Sequence, residues 1–174
     1  MDLFQEYKEL YYKELEFKDS MSNKIGTSIT FLTMLCTGHM FIWNIMVELQ
    51  FVLKFFPIVF LLFEIFSVYY TVLSMYNFYK SYFKFKYYLV SAENIKSQID
   101  YNNSLKNNFS YKKINKANYE MMCNTFYEYT ICNRKENIRK NKYQMKLNSS
   151  IIKAIIFLIL TYTIWIFIIN QITF

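Results

Sequence analysis

The stretch FVLKFFPIVFLLFEIFSVYYTVLSMYNF, residues 51–78, decides the fold class. Its only charged side chains are Lys54 and Glu64. A helix needs about 20 mostly apolar residues to cross a hydrocarbon core about 30 Å thick, and this stretch is long enough. Residues 25–47 and 151–169 also meet that requirement. A chain of 174 residues could not bury three such helices on every side. The sequence therefore predicts an all-α integral membrane protein with three transmembrane helices.

The composition agrees with a membrane protein that also has a polar part. Hydrophobic residues make up 54% of the chain and aromatic residues 21%, yet the mean hydropathy is only +0.07 because the apolar residues are concentrated in blocks. Such unevenness is typical of membrane spans joined by polar segments. With two Gly and one Pro, little besides helix is expected.

The distribution of basic residues predicts the orientation. Residues 80–150 contain fourteen Lys and Arg against five acidic residues, whereas the link at 48–50 contains no base. Because cytoplasmic loops are enriched in Lys and Arg, we expect the long segment and the N-terminus inside and Phe174 outside. The chain then divides into a cytosolic amphipathic helix (1–24), a transmembrane hairpin (25–79), a basic cytosolic helical region (80–150) and a third transmembrane helix (151–174).

The long cytosolic segment has three parts. The aromatic and basic stretch 80–88 is interpreted as an interfacial belt, and the Asn-rich stretch 102–116 as a loop. Residues 117–148 have apolar side chains at helical spacing, and this helix is expected to run into the last span with a bend at 149–150. Its amides recur at helical spacing and are interpreted as residues that fix the register between packed helices: Asn133, Asn137 and Asn141.

Each of the first two spans has a polar stripe at spacings of three and four residues, which places the members of a stripe on one helix face. The stripe of the first span comprises Gly26, Thr30, Thr33, Thr37 and Asn44, and that of the second comprises Glu64, Ser67, Thr71 and Ser74. Glu64 should face protein or water, because a carboxylate exposed to lipid costs at least about 2.5 kcal/mol. Two interpretations remain open: the stripes are packing faces, or they line a conducting path in an oligomer.

His39 is the only histidine. If the hairpin turns near residue 51, His39 and Glu64 lie at similar depth on antiparallel helices, and a hydrogen bond or ion pair between them is predicted. The alternative is that His39 bonds to a backbone carbonyl or lies near the outer interface.

Signals of catalysis are missing from the sequence. A single histidine excludes multi-histidine metal sites, and the chain has neither a glycine-rich phosphate loop nor a recognisable nucleophile. Cys36, Cys123 and Cys132 lack a CxxC spacing and are interpreted as reduced packing residues. We therefore expect no enzyme activity, no metal and no cofactor. The net charge of +7 is attributed first to membrane topology, that is, to basic residues on the cytoplasmic side. Binding of nucleic acid or of an anionic nucleotide is the second explanation.

Several segments resemble a known class of protein. An N-terminal helix YKELYYKELEFKD (7–19) leads into a span, an aromatic stretch (82–88) follows the hairpin, and a late helix contains FYEY (126–129) and NIR (137–139) before a closing hydrophobic segment. This pattern resembles small bacterial membrane effectors of anti-phage defence, including the SMODS- and SLOG-associating two-transmembrane (SLATT) type.

The resemblance implies an oligomeric effector in the bacterial inner membrane that permeabilises or depolarises it during abortive infection. A defence-system protein or a nucleotide signal would act on the cytosolic region. The alternative is a non-conducting accessory subunit that scaffolds a larger membrane complex.

Overall fold

The computed structural model describes residues 2–48, 56–104 and 109–172. The regular secondary structure of this part of the chain is entirely helical, and its helices are α1 (Leu3–Ser22), α2 (Ile25–Glu48), α3 (Phe56–Tyr82), α4 (Ala92–Ser104) and α5 (Tyr111–Ile172). Residues 49 and 50 of the predicted turn, Lys54 and Phe174 lie outside the described residues.

Three helical stretches are long and apolar enough to cross a membrane: Leu3–Asn44, Ile58–Tyr82 and Tyr111–Ile168. The predicted all-α class and the three predicted membrane-spanning helices are thereby confirmed at the level of length and composition.

Part of the loop predicted at 102–116 is helical. The carbonyl of Ser110 accepts hydrogen bonds from the amides of Lys113 (2.9 Å) and Ile114 (3.2 Å), which closes the first turn of α5. Ile114 is buried, so an apolar contact stabilises a turn whose Asn-rich sequence favours a loop. From there α5 runs through Ser149 and Ser150 without interruption.

The chain divides into two compact units. The first unit consists of residues 1–22 and 85–139, and the second of residues 23–84 and 140–174. The predicted domains grouped 140–150 with the cytosolic region, whereas the structure groups these residues with the spans. The reason is visible in the contacts: the Gln144 amide donates to the Tyr82 hydroxyl (3.3 Å), and Leu147 belongs to the same core as Leu32.

In the first unit, α1 packs along the first part of α5 through aromatic rings. Phe126 meets Phe4 and Tyr11 edge to face, with ring centroids 5.5 and 5.3 Å apart. Such pairs add about 0.5–1.5 kcal/mol beyond the area that they bury. A segment without regular secondary structure, residues 85–91, leads to α4; we call it the connecting segment.

In the second unit, α2, α3 and the last part of α5 enclose a small apolar core. Leu32, Leu35, Leu147, Ile151 and Ala154 form it. Gly38 permits a close approach between α2 and α5, because a Cβ at this position would lie 2.8 Å from Cδ2 of Leu158.

The two units differ in charge. The first unit contains twelve Lys and Arg residues and eleven Asp and Glu residues, because the acidic residues of α1 balance the bases of 85–139. The second unit contains eight Lys residues and two Glu residues. Most of the net charge of +7 therefore belongs to the unit that contains α2 and α3.

Candidate functional site: the buried polar face of α3

Helix α3 buries its polar side chains and exposes its apolar ones. The buried residues recur every three or four positions and are Ser67, Thr71, Ser74, Asn77 and Ser81, each at most 4% exposed. The opposite faces expose large apolar side chains, among them Ile58, Leu62, Ile65, Tyr69 and Val72. A helix of a soluble protein would show the reverse pattern. An apolar surface around a polar, small-residue interface is typical of helices that pack in lipid.

The buried face of α3 includes the acid of the second span, which contacts the only histidine of the chain. Nδ1 of His39, on α2, lies 2.6 Å from Oε1 of Glu64, on α3. Both side chains are nearly buried, with exposed fractions of 13% and 12%. Nε2 of the same ring lies 2.9 Å from the Thr71 hydroxyl oxygen. The structure thus brings together two residues that the sequence placed at similar depth.

The 2.6 Å separation of Nδ1 and Oε1 is that of a hydrogen bond between His39 and Glu64. The Thr71 hydroxyl oxygen lies 2.9 Å from Nε2 of His39 and 2.9 Å from the Ser67 carbonyl, so it contacts the ring and its own helix together. A carboxyl group and an imidazole that bond to each other are less costly to bury in an apolar environment than either group alone.

The second carboxyl oxygen of Glu64, Oε2, is an unsatisfied hydrogen-bond acceptor. Oε2 is buried and has no hydrogen-bond partner among the described residues. A buried unpaired acceptor costs about 1–3 kcal/mol, and a conformation that hydrated or paired it would recover this free energy.

Farther along α3, the hydroxyl of Ser67 donates to the Ala154 carbonyl of α5 (2.9 Å), and that of Ser74 donates to the Tyr70 carbonyl (2.7 Å).

The predicted stripe of the first span is not part of this interior. Its residues, Gly26, Thr30, Thr33, Thr37 and Asn44, are all exposed. The hydroxyls of Thr30, Thr33 and Thr37 donate to carbonyls four residues earlier, each at 3.0 Å. A threonine satisfied by its own helix can face lipid or a second chain without an unpaired donor. The face of α2 that does pack inward contains Leu32, Leu35, His39 and Ile42 instead.

Two of the three predicted register residues are buried in the first unit, and they bind the connecting segment. The side-chain amide of Asn133 accepts from the Tyr88 amide (2.9 Å) and donates to the Tyr88 carbonyl (3.0 Å), as a neighbouring strand would. Asn137 donates to the backbone carbonyl and the carboxylate of Glu14, both at 2.8 Å, and accepts from the Tyr87 hydroxyl (2.8 Å). These amides therefore join α5 to α1 and to the connecting segment.

Asn141, the third predicted register residue, is exposed. The buried polar positions of α5 in this region are 133, 137, 140 and 144. Position 141 therefore lies next to the buried face of α5 and not on it. Gln144 and Lys140 are the buried polar residues there, and Nζ of Lys140 lies 5.5 Å from the centre of the Tyr82 ring.

Tyr87 and Tyr88 belong to the stretch for which the sequence predicts an interfacial belt, and in the structure both pack in the first unit. Burial raises the pKa of Tyr87 to about 12, and the nearby carboxylates of Glu136 and Glu14 act in the same direction. The anionic form is disfavoured because its charge would be desolvated beside negative groups.

Sequence reasoning did not single out Asn77, Ser81 and Gly38. Asn77 and Ser81 continue the stripe of Ser67, Thr71 and Ser74 at the same spacing, so the period itself could have found them. The sequence gives no signal at Gly38, because the need for a glycine there comes from the proximity of Leu158 on another helix.

No known protein family, curated protein or solved structure matches this chain. Among the described residues, no group of three or more His, Cys, Asp or Glu side chains could hold a metal ion, and the three cysteines are free. The functional interpretation therefore rests on the chain's own residues.

Proposed function

We propose that this protein is an oligomeric membrane effector that permeabilises or depolarises the bacterial inner membrane, in the manner of the anti-phage effectors that it resembles. The structure then represents the closed form. The polar face of α3 is covered by α2 and α5 within one chain, and its exposure toward other copies would produce the conducting form.

One observation carries the proposal: α3 has a continuous polar face whose Glu64 is paired with His39 of α2 in apolar surroundings. Helix packing in lipid needs only small residues, and a carboxylate there is costly. A face of Glu64, Ser67, Thr71, Ser74 and Asn77 is suited to line water once it opens, because each side chain offers a hydrogen-bonding group. Oε2 of Glu64, which has no hydrogen-bond partner in the part of the chain that the structure describes, is the group that would gain most from hydration.

The proposal includes the predicted topology, with the N-terminus inside and the third span ending outside. It also makes the first unit the cytosolic part that a defence-system protein or a nucleotide engages. Nucleic acid is a poor partner for this unit, since twelve bases are nearly balanced by eleven acids.

The test is inducible expression of the chain in a bacterium, with growth and membrane potential followed by a voltage-sensitive dye. Glu64→Gln keeps the size of the side chain and removes its ionisation, and the matched control is Glu93→Gln on the exposed face of α4. We expect Glu64→Gln to change ion flux in proteoliposomes at least several-fold and the control to leave it unchanged. Unaltered toxicity and flux in Glu64→Ala would remove Glu64 from the permeation path. A strictly monomeric protein in nanodiscs would contradict the oligomeric effector.

A second candidate function is a non-conducting accessory subunit that scaffolds a larger membrane complex. The observation that favours it is the complete enclosure of the α3 stripe within one chain, combined with the exposed threonine stripe of α2, which offers a packing face to another protein. A scaffold predicts no toxicity and no flux at any expression level. It also predicts loss of complex assembly when Thr33 and Thr37 are replaced by Leu.

A further inference from the structure

The connecting segment has no regular secondary structure, yet its backbone is held at several points within the first unit. Asn133 of α5 bonds to both the amide and the carbonyl of Tyr88. The Tyr11 hydroxyl of α1 accepts a hydrogen bond from the Val90 amide (2.9 Å) and donates one to the Tyr88 carbonyl (3.4 Å). Side chains of two helices, α1 and α5, therefore fix the path of this segment.

Burial keeps the Tyr11 side chain in this position. The residue is 3% exposed, and its ring packs edge to face on Phe126, with the centroids 5.3 Å apart. A phenolic hydroxyl has one proton to donate and also accepts, and the connecting segment uses both capacities. Without the hydroxyl, the Val90 amide would lose the acceptor that it has in the structure, and an unpaired backbone amide is costly away from water.

A second side chain of α1 holds the same segment. Nζ of Lys18 lies 5.3 Å from the centre of the Tyr87 ring, whose hydroxyl donates to Asn137 of α5. A cation over an aromatic ring is attracted by the negative face of the ring. Lys18 and Tyr11 are two helical turns apart and so lie on one face of α1. That face of α1 therefore contacts the connecting segment at two points.

The connecting segment follows α3 almost directly in the chain. Helix α3 ends at Tyr82, and only residues 83 and 84 separate it from the segment. A helix that rotates about its axis needs a few residues at its end to absorb the change in φ and ψ. While the segment is bound to α1 and α5, two residues are left for this purpose at this end of α3. The bound segment therefore restrains rotation of α3.

We propose that α1 is a strap that keeps α3 in its closed orientation by holding the connecting segment. Separation of Tyr11 and Lys18 from the segment frees the chain after α3, and α3 then turns its polar face away from α2 and α5. The inference deepens the proposed function and rests on it, because it names the contact that regulates exposure of this face. The signal that engages the first unit acts by displacing α1.

The experiment replaces Tyr11 by Phe in the full-length protein in proteoliposomes. Tyr11→Phe keeps the ring that packs on Phe126 and removes both hydrogen bonds to the segment. The matched control is Tyr12→Phe, which removes a hydroxyl from an exposed ring of the same helix. Hydrogen exchange of residues 85–91, followed by mass spectrometry, should accelerate on the order of tenfold in Tyr11→Phe, the factor for about one net hydrogen bond. It should be unchanged in the control.

Ion flux from the same proteoliposomes tests the regulatory role. Tyr11→Phe should raise the flux at least several-fold over that of the wild type, and Tyr12→Phe should not. Lys18→Gln is a graded variant, because it keeps the hydrogen bonds of Tyr11 and removes the contact with the Tyr87 ring. Its exchange rate and its flux should both lie between those of the wild type and of Tyr11→Phe. This variant also decides the question if circular dichroism shows that Tyr11→Phe does not fold.

Two results would overturn the strap alone. Unchanged exchange in Tyr11→Phe would show that α1 does not hold the connecting segment. Faster exchange without a change in flux, in a protein whose flux does respond to Glu64→Gln, would show that the segment does not regulate α3 and would leave the proposed function in place. Absence of flux from the wild type and from every variant would instead contradict the proposed function, and the regulatory role of α1 with it.

Discussion

Nδ1 of His39 and Oε1 of Glu64, which are 25 residues apart in sequence, lie 2.6 Å apart between α2 and α3. The contact makes the two helices interdependent, because either group left alone would be a polar or charged group in an apolar environment. The Thr71 hydroxyl contacts Nε2 of the ring from the other side, at 2.9 Å. Under the proposed function, exposure of the polar face of α3 requires this pair to separate.

The pair predicts non-additive mutations. Glu64→Gln and His39→Ala should each destabilise the protein, while the second change should cost little once the first is present. We expect a coupling free energy of about 1–2 kcal/mol, within the range for directly interacting residues. The measurement is unfolding in mixed detergent micelles for the two single variants and the double variant. His39→Ala combined with Glu93→Gln serves as the control and should be additive; additivity of His39→Ala with Glu64→Gln would contradict the pairing.

Replacement of Asn133 should release the connecting segment. Asn133→Ala leaves the Tyr88 amide and carbonyl without their partners and should destabilise the first unit by about 2 kcal/mol. Hydrogen exchange of residues 85–91, followed by mass spectrometry, should accelerate accordingly. Asn133→Asp keeps the acceptor but buries a carboxylate against the Tyr88 carbonyl, so it should destabilise the first unit at least as much as Asn133→Ala. Asn141→Ala, at an exposed position, should change stability by less than about 0.5 kcal/mol. Equal exchange rates in Asn133→Ala and Asn141→Ala would refute the role of Asn133.

The two glycines should respond differently to a methyl group. Gly26→Ala meets no atom within 4 Å, so it should stabilise the helix by up to about 0.5–1 kcal/mol. Gly38→Ala has the same propensity gain but forces the end of the Leu158 side chain to move, so it should leave the protein about 1 kcal/mol less stable than Gly26→Ala does. Leu158→Ala in the Gly38→Ala background should relieve the clash, and thermal unfolding of the four proteins measures each effect. A Gly38→Ala protein as stable as Gly26→Ala would contradict the close approach of α2 and α5.

Two tyrosines should titrate late, for different reasons. Burial beside Glu136 and Glu14 raises the pKa of Tyr87 to about 12, and the hydrogen bond that Tyr119 donates to the Asp2 carboxylate raises the pKa of Tyr119 to about 12. Since these values exceed the unfolded value of 10.0, the stabilising contribution is complete below pH 10 and is lost as the pH rises toward 12.

Tyrosinate absorbance distinguishes the two residues. Tyr87→Phe should remove one late step, and Asp2→Asn should lower the pKa of Tyr119 while leaving that of Tyr87 in place. If Asp2→Asn shifted neither step, the hydrogen bond would not be the cause of the Tyr119 shift.

The sequence alone predicts those features of this protein that depend on a single helix, namely its length, its hydropathy and the spacing of its polar residues. Three apolar stretches predict three helices that could span a membrane, because length and hydropathy are properties of the segment. The stripe from Glu64 to Ser74 follows in the same way from the helical period, and the depth of His39 and Glu64 follows from counting residues from a turn. Asn133 and Asn137 were identified by their spacing.

Only the tertiary structure decided what each stripe faces. The threonines of α2 and the serines of α3 have similar sequence patterns, yet the former are exposed and the latter buried, because helix rotation depends on which neighbours are present. Likewise, Asn141 is exposed while Gln144 is buried. Both positions fit a helical spacing from Asn137, and only the packing of α5 against its neighbours decides which of them faces inward. The division of charge between the two units also required the fold, because α1 and residues 85–139 are far apart in sequence and balance each other only when they pack together.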